Sequence, residues 1–170
     1  MVLWQQLDTT GMVEKYDKWI ELIDNTHHAA NNRVNPTVSF SPLRRPLAEA
    51  TVALVSTAGV HLDDQPPFDV ATTDGDPTFR LIPDDTSSDR LRFTHTHYDT
   101  GPAGEDPNVV FPLDRLHEFV VEGRVGAAAP FHVGLMGFNP DPSRIADDAA
   151  PEVARQLTEA EVDVVVLTPG

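Results

Sequence analysis

The chain has 170 residues, with 27 acidic side chains against 12 basic ones and a formal net charge of −15. A field of that sign repels phosphate backbones and anionic lipid, which argues against nucleic-acid and membrane-surface roles. Apolar residues make up 40% and charged ones 23%, a globular balance, and no apolar run is long enough to span a bilayer. The expected setting is cytoplasmic.

Cysteine is absent, so disulfides, thiolate metal sites and thiol catalysis are excluded within these residues. Fifteen prolines imply a loop-rich chain. Asp outnumbers Glu two to one, and the only lysines are Lys15 and Lys18. That balance suits a high-salt cytoplasm or a GC-rich genome and speaks to habitat rather than chemistry.

In chain order, the first expected element is an amphipathic helix over 12–25, with Met12, Tyr16, Trp19, Ile20 and Ile23 on one face. An N-terminal helical or extended segment, 1–40, would precede an α/β domain over 41–170. Residues 51–56 are β-branched-rich without alternation, the mark of a strand buried on both faces. Further strands are expected at 79–82, 91–94 and 108–111. Arg80 sits within an apolar run and, if buried, calls for a carboxylate such as Asp84 or Asp85. Pro112 opens an expected helix over 113–122, with Leu113, Leu116, Phe119 and Val120 on one side and Gly123 as its stop. A strand at 131–136, a helix at 143–160 with Ile145, Val153 and Leu157 apolar, and a strand at 162–167 complete the set. Strands separated by helices and loops predict an α/β fold: a mostly parallel sheet of about five strands, doubly wound in flavodoxin- or Rossmann-like layers.

Such sheets bind ligands beyond the carboxyl ends of their strands, so the residues that follow each strand are the candidates. His95, His97 and Asp99 alternate, and on an extended segment they share one side, a plausible divalent-metal half-site. The spacing is similar to the H-x-H-x-D-H signature of metallo-β-lactamases, but Thr100 stands where the next histidine would be. His61, Asp64 and Gln65 follow the first strand, and Asp114 and Arg115 open the 113–122 helix. Their alternative reading is a set of ordinary polar loops. No G-x-S-x-G, Walker A or G-x-G-x-x-G pattern is present.

Longer motifs add a resemblance. Pro42–Leu47, Ala53–His61, Asp64–Asp69, Asp76–Pro83, His95–Thr100, Asn108–Leu116 and Gly123–Gly126, followed by Ala129-Pro130 and Met136-Gly137, stand in the order of one family. They resemble the selenoprotein B subunits of the glycine, sarcosine and betaine reductases and the related subunit of D-proline reductase. The resemblance implies reductive C–N cleavage of a small amino acid or betaine, with a dithiol/disulfide acceptor and partner subunits. It implies a selenocysteine or cysteine nucleophile just after Thr168-Pro169-Gly170, so the chain is expected to be the front of a longer protein, interrupted at that position, whose remainder adds at least one helix and strand. On this reading His61, His95, His97 and Asp99 line the site as catalytic candidates, and Asp64, Gln65, Asp114 and Arg115 support substrate binding. No cofactor and no resident metal are expected in this chain. Two readings from other classes stay open: a metal-dependent hydrolase using His95, His97 and Asp99, and a non-catalytic binding domain or fragment.

Overall fold

A computed structural model describes residues 41–170, so the helix expected over 12–25 lies outside the described residues. The strands are β1 (Thr51–Ser56), β2 (Val60–Leu62), β3 (Phe79–Pro83), β4 (Leu91–Phe93), β5 (Ala127–Ala128), β6 (Phe131–Leu135) and β7 (Val164–Thr168). The helices are α1 (Gly101–Glu105), α2 (Leu113–Val121) and α3 (Ala150–Glu159).

β1 is the centre of the sheet. β7 runs parallel along one edge of it, pairing Val52 with Val164 through Ser56 with Thr168. β5 and β6 run parallel along the other edge, β5 against Thr51 and Val52 and β6 against Val55 and Ser56. β3 closes that side, antiparallel to β6. β2 and β4 form a separate antiparallel ribbon. The mostly parallel α/β sheet expected from the sequence is the sheet observed.

The unbroken apolar run of β1 has a direct cause. Val52 and Leu54 enter one core with Phe111, Leu113 and Leu116 from the α2 side. Ala53 and Val55 enter a second core with Val133 and, from α3, Val153 and Leu157. Successive residues of a strand point to opposite faces, so a strand covered on both faces must be apolar at every position. Each buried Val or Leu adds about 1.5–3 kcal/mol of transfer free energy.

Several local expectations change. Residues 108–111 are not a strand; Pro107–Val109 is a 3-10 turn, opened by the Asp106 carboxylate accepting from the Asn108 N–H. Prolines 107 and 112 flank the apolar triplet and supply no ladder N–H, which bars it from a sheet. Phe111 is buried from this irregular segment all the same. Phe119 is not on the inner face of α2; it is 37% exposed under the Arg124 guanidinium, 4.0 Å from its ring centre. The helix expected over 143–160 opens with a wide π-type turn, Ile145–Ala149. Pro151 explains it, having no N–H for an i−4 bond and a ring that crowds the preceding turn. Arg80 turns not to Asp84 or Asp85 but to the carbonyls of Pro66 and Pro67 and to Asp76, with its guanidinium 4.4 Å from the Phe68 ring centre. β2, β5 and α1 are too short, or too rich in Gly and Pro, to carry a periodic signal.

Candidate functional site

At its carboxyl end β1 runs into Thr57-Ala58-Gly59, and four segments meet there. Thr57 N–H donates to the Thr168 carbonyl at 3.0 Å, and the Thr57 carbonyl accepts from Gly137 N–H at 2.8 Å. Ala58 bridges to Met136. Gly59 N–H donates to the Leu135 carbonyl, while the Gly59 carbonyl accepts from Thr94 N–H. Gly59 has φ +71°, and a side chain there would strike the Thr94 carbonyl oxygen at 2.1 Å, so both conformation and space demand glycine. Gly170 lies flat on Ala58: a Cβ on it would come within 2.3 Å of the Ala58 Cα. Beneath this junction the hydroxyls of Ser56 and Thr168 both donate to the Val110 carbonyl, at 2.9 and 2.6 Å.

The segment 94–100 arches over this edge as a bend rather than as extended chain. Tyr98 anchors it, its hydroxyl donating to the Ala58 carbonyl at 2.9 Å. Burial pushes the Tyr98 phenol up to about 12, so it stays a neutral donor. His97 stacks on Phe138, with ring centres 3.7 Å apart and planes at 14°. His95 packs at 4.9 Å from the Tyr98 ring, and its Nδ1 accepts from the His97 backbone N–H at 3.0 Å. Burial pushes His95 down to about 4, with the neighbouring His97 adding to the shift, and burial lowers His97 as well.

The bend breaks the shared face assumed for His95, His97 and Asp99. The two imidazoles stand edge to face with ring centres 6.0 Å apart. The His97 Nδ1 faces the Thr96 hydroxyl at 2.7 Å, and Asp99 turns away to accept from Gly101 N–H at the start of α1. Among the described residues no group of three His, Asp or Glu side chains is placed to hold a metal ion.

The other predicted residues are spread out. His61 is buried in β2, with Nδ1 facing the Leu62 carbonyl and Nε2 the Thr94 hydroxyl, both at 2.8 Å. Both nitrogens are engaged, and the Nε2 contact ties His61 to Thr94, the residue before His95. Gln65 is a brace, accepting from Leu62 N–H and donating to the Leu81 carbonyl. Asp64 pairs with Arg90 at 2.8 Å. Asp114 accepts from Ser88 and Asn108, and Arg115 pairs with Glu118 on the exposed side of α2. The structure thus keeps His95 and His97 at the carboxyl edge and joins to them Tyr98 and Phe138, which composition and spacing did not single out.

The family model for glycine/sarcosine/betaine reductase selenoprotein B matches residues 24–170. The chain belongs to this family. It is similar to D-proline reductase subunit gamma of Acetoanaerobium sticklandii, 39% identical over 137 residues, covering 81% of this chain and 55% of that subunit. It is also similar to betaine reductase complex component B subunit beta of Peptoclostridium acidaminophilum, 29% identical over 127 residues, covering 72% of this chain and 28% of that one. Glycine reductase complex component B subunit gamma of Carboxydothermus hydrogenoformans is 29% identical over 142 residues, 82% of this chain and 31% of that one. The chain therefore spans about half the length of the first relative and less than a third of the other two. No solved structure matches it.

Two features of this selenoprotein B family chain lie apart from the carboxyl edge. His132, fully buried on β6, accepts from Leu54 N–H at Nδ1 and donates from Nε2 to Asp84 Oδ1, each at 3.0 Å; His117 meets the same oxygen at 2.7 Å. Because Nδ1 is an acceptor, Nε2 carries the hydrogen and His132 is neutral; burial lowers its pKa, outweighing Asp84. A shallow cleft of about 400 Å³ lies beside the first turn of α3, bordered by Phe79, Arg144 and Asp148. None of the sequence-predicted site residues lines it. Among the described residues no helix is long and apolar enough to cross a membrane.

Proposed function

We propose that this chain forms the front of the substrate-reducing subunit of an amino-acid or betaine reductase, working in the cytoplasm with partner subunits. In this reading a C–N bond of the substrate breaks, carbon and nitrogen each take up a hydrogen, and a dithiol supplies both electrons and becomes a disulfide. The attacking group is a selenolate or thiolate placed directly after Gly170. A soft anion in that position would sit at a strand's carboxyl end, ahead of a following helix whose free N–H groups and dipole favour negative charge.

One observation supports the reading beyond family membership. Gly170 rests on Ala58, and the Ala58 carbonyl holds Tyr98, whose ring lies against His95. A residue following Gly170 would leave the sheet beside these aromatic side chains. His95 and Tyr98, both neutral there, would orient substrate and shield the nucleophile from water. His61, Asp64, Gln65, Asp114 and Arg115 serve as scaffold in this reading. The metal-hydrolase alternative has no support in the geometry, because Asp99 and the two imidazoles do not converge.

The test is the reading frame beyond Gly170 and the activity of its product. A selenocysteine or cysteine codon followed by a helix-forming frame is expected. So is dithiol-dependent cleavage of glycine, sarcosine, betaine or D-proline by the complete subunit with its partners. A frame with no such codon would end the reductase assignment and leave a binding domain. The 170-residue chain alone is expected to be inactive, since it has no thiol or selenol.

A further inference from the structure

We propose that His95 presents its Nε2–H as a fixed, neutral hydrogen-bond donor to a carbonyl or carboxylate oxygen of a small polar molecule bound at the carboxyl edge. The proposal rests on the assignment of that edge as the working edge, and not on the reductase chemistry itself.

The tautomer follows from geometry. The His97 backbone N–H points at His95 Nδ1 across 3.0 Å, which makes Nδ1 the acceptor. In a neutral imidazole the hydrogen then belongs to Nε2. That Nε2 is shielded from solvent and meets no hydrogen-bond partner among the described residues. Buried N–H groups in folded proteins nearly always find a partner, so an orphaned donor marks a place where an acceptor is missing. Asn139 Oδ1, the other buried orphan among the described residues, does not supply it: it is an acceptor facing Gly75.

The surroundings narrow the missing acceptor to an oxygen of a small molecule. The rings around His95 are those of Tyr98 and His97, the second stacked on Phe138. The Tyr98 hydroxyl is engaged at Ala58, and the Asp99 carboxylate at Gly101. The Tyr98 ring gives flat apolar surface beside the His95 donor. The His95 ring as a whole is only half-buried, and residues 95–100 lie beyond the last rung of the β2–β4 ladder, Thr94 N–H to the Gly59 carbonyl, so a small displacement would admit a ligand atom. The low pKa of His95 agrees with a group that donates without becoming charged. A neutral donor in a protein of net charge −15 suits an uncharged carbonyl, or a carboxylate whose molecule carries its own positive charge, better than a free anion.

The experiment uses the whole chain with 15N-labelled histidine, its resonances assigned through the His95→Gln variant. Long-range proton–nitrogen correlation at neutral pH reads the tautomer directly. Acetamide, acetate and methylammonium are then titrated separately as the probes. The expected result is a neutral Nε2–H tautomer. Saturable movement of the His95 nitrogens is expected with acetamide and, more weakly, with acetate, and none with methylammonium. His95→Gln, which keeps an N–H in a similar place, weakens acetamide binding a few-fold; His95→Leu weakens it roughly tenfold or more. An Nδ1–H tautomer, an imidazolium, or no response to either oxygen probe would overturn the proposal. The outcome separates from the reductase reading: probe binding together with an inactive complete complex keeps the donor and discards the reductase, and the reverse result does the opposite.

Discussion

The Tyr98 hydroxyl donates to the Ala58 carbonyl across 2.9 Å and 40 residues of sequence, and this bond ties the histidine-bearing bend to the end of the central strand. A partly buried hydrogen bond of this kind contributes about 1 kcal/mol. Tyr98→Phe keeps the ring against His95 and removes only the bond. The expected outcome is a fall of about 1 kcal/mol in unfolding free energy by urea titration. Amide exchange should quicken across 95–100 while the β1 amides are unchanged. Equal loosening of β1 would show that the bond supports the sheet and not the bend.

Gly170 tests the junction from the other side. A valine there would place its Cβ within 2.3 Å of the Ala58 Cα. The tail must then lift off, and the last rung of the ladder, Ser56 to Thr168, weakens with it. Gly170→Val is expected to cost about 1–2 kcal/mol, in the range of ordinary overpacking. It should also expose the Thr57 amide, which donates to the Thr168 carbonyl. Unchanged exchange at Thr57 would mean that the tail does not bear on β1.

Three histidines make stability depend on pH with a definite sign. Burial lowers His132, His97 and His95, the last to about 4. The unfolded chain takes up these protons near the ordinary histidine value of about 6.5, where the folded chain refuses them. Stability is therefore complete above about 6.5 and falls as pH drops from there toward 4. His132→Gln leaves the Leu54 N–H without its acceptor; it should cost about 1–3 kcal/mol at neutral pH and flatten the slope. Urea midpoints measured from neutral to mildly acidic pH give both numbers. A slope that survives the substitution unchanged assigns the effect to the His95–His97 pair.

The outer edge of β7 is unpaired among the described residues, and Leu167 on it is 74% exposed. Leu167→Lys is expected to change stability by less than about 0.5 kcal/mol and to slow aggregation, because a charge on an open edge discourages strand addition. A large loss of stability would show that Leu167 is covered in solution.

How far the sequence reached depended on how local each signal was. The continuous apolar run of β1 and the spacing of Leu113 and Leu116 on α2 are properties of neighbouring residues, so both elements could be read in advance. Residues 108–111 have the apolar content of a strand, but the flanking prolines 107 and 112 bar the segment from a ladder. The alternation of His95, His97 and Asp99 does not become a shared face, for a different reason. Period-two reasoning assumes that extended chain continues, and β4 ends at Phe93.

The order of the family motifs, the two-sided burial of β1 and the acidic, cysteine-free character of the chain were all determined by the sequence alone. Only the tertiary structure decided which histidines are spent and which is left open. His61 is spent on Thr94, 33 residues away, and His132 on Leu54 and Asp84, 78 and 48 residues away. His95 keeps its Nε2–H unpaired. A hydrogen bond depends on atoms within about 3 Å of each other, and no pattern along the chain encodes that when the partners lie tens of residues apart.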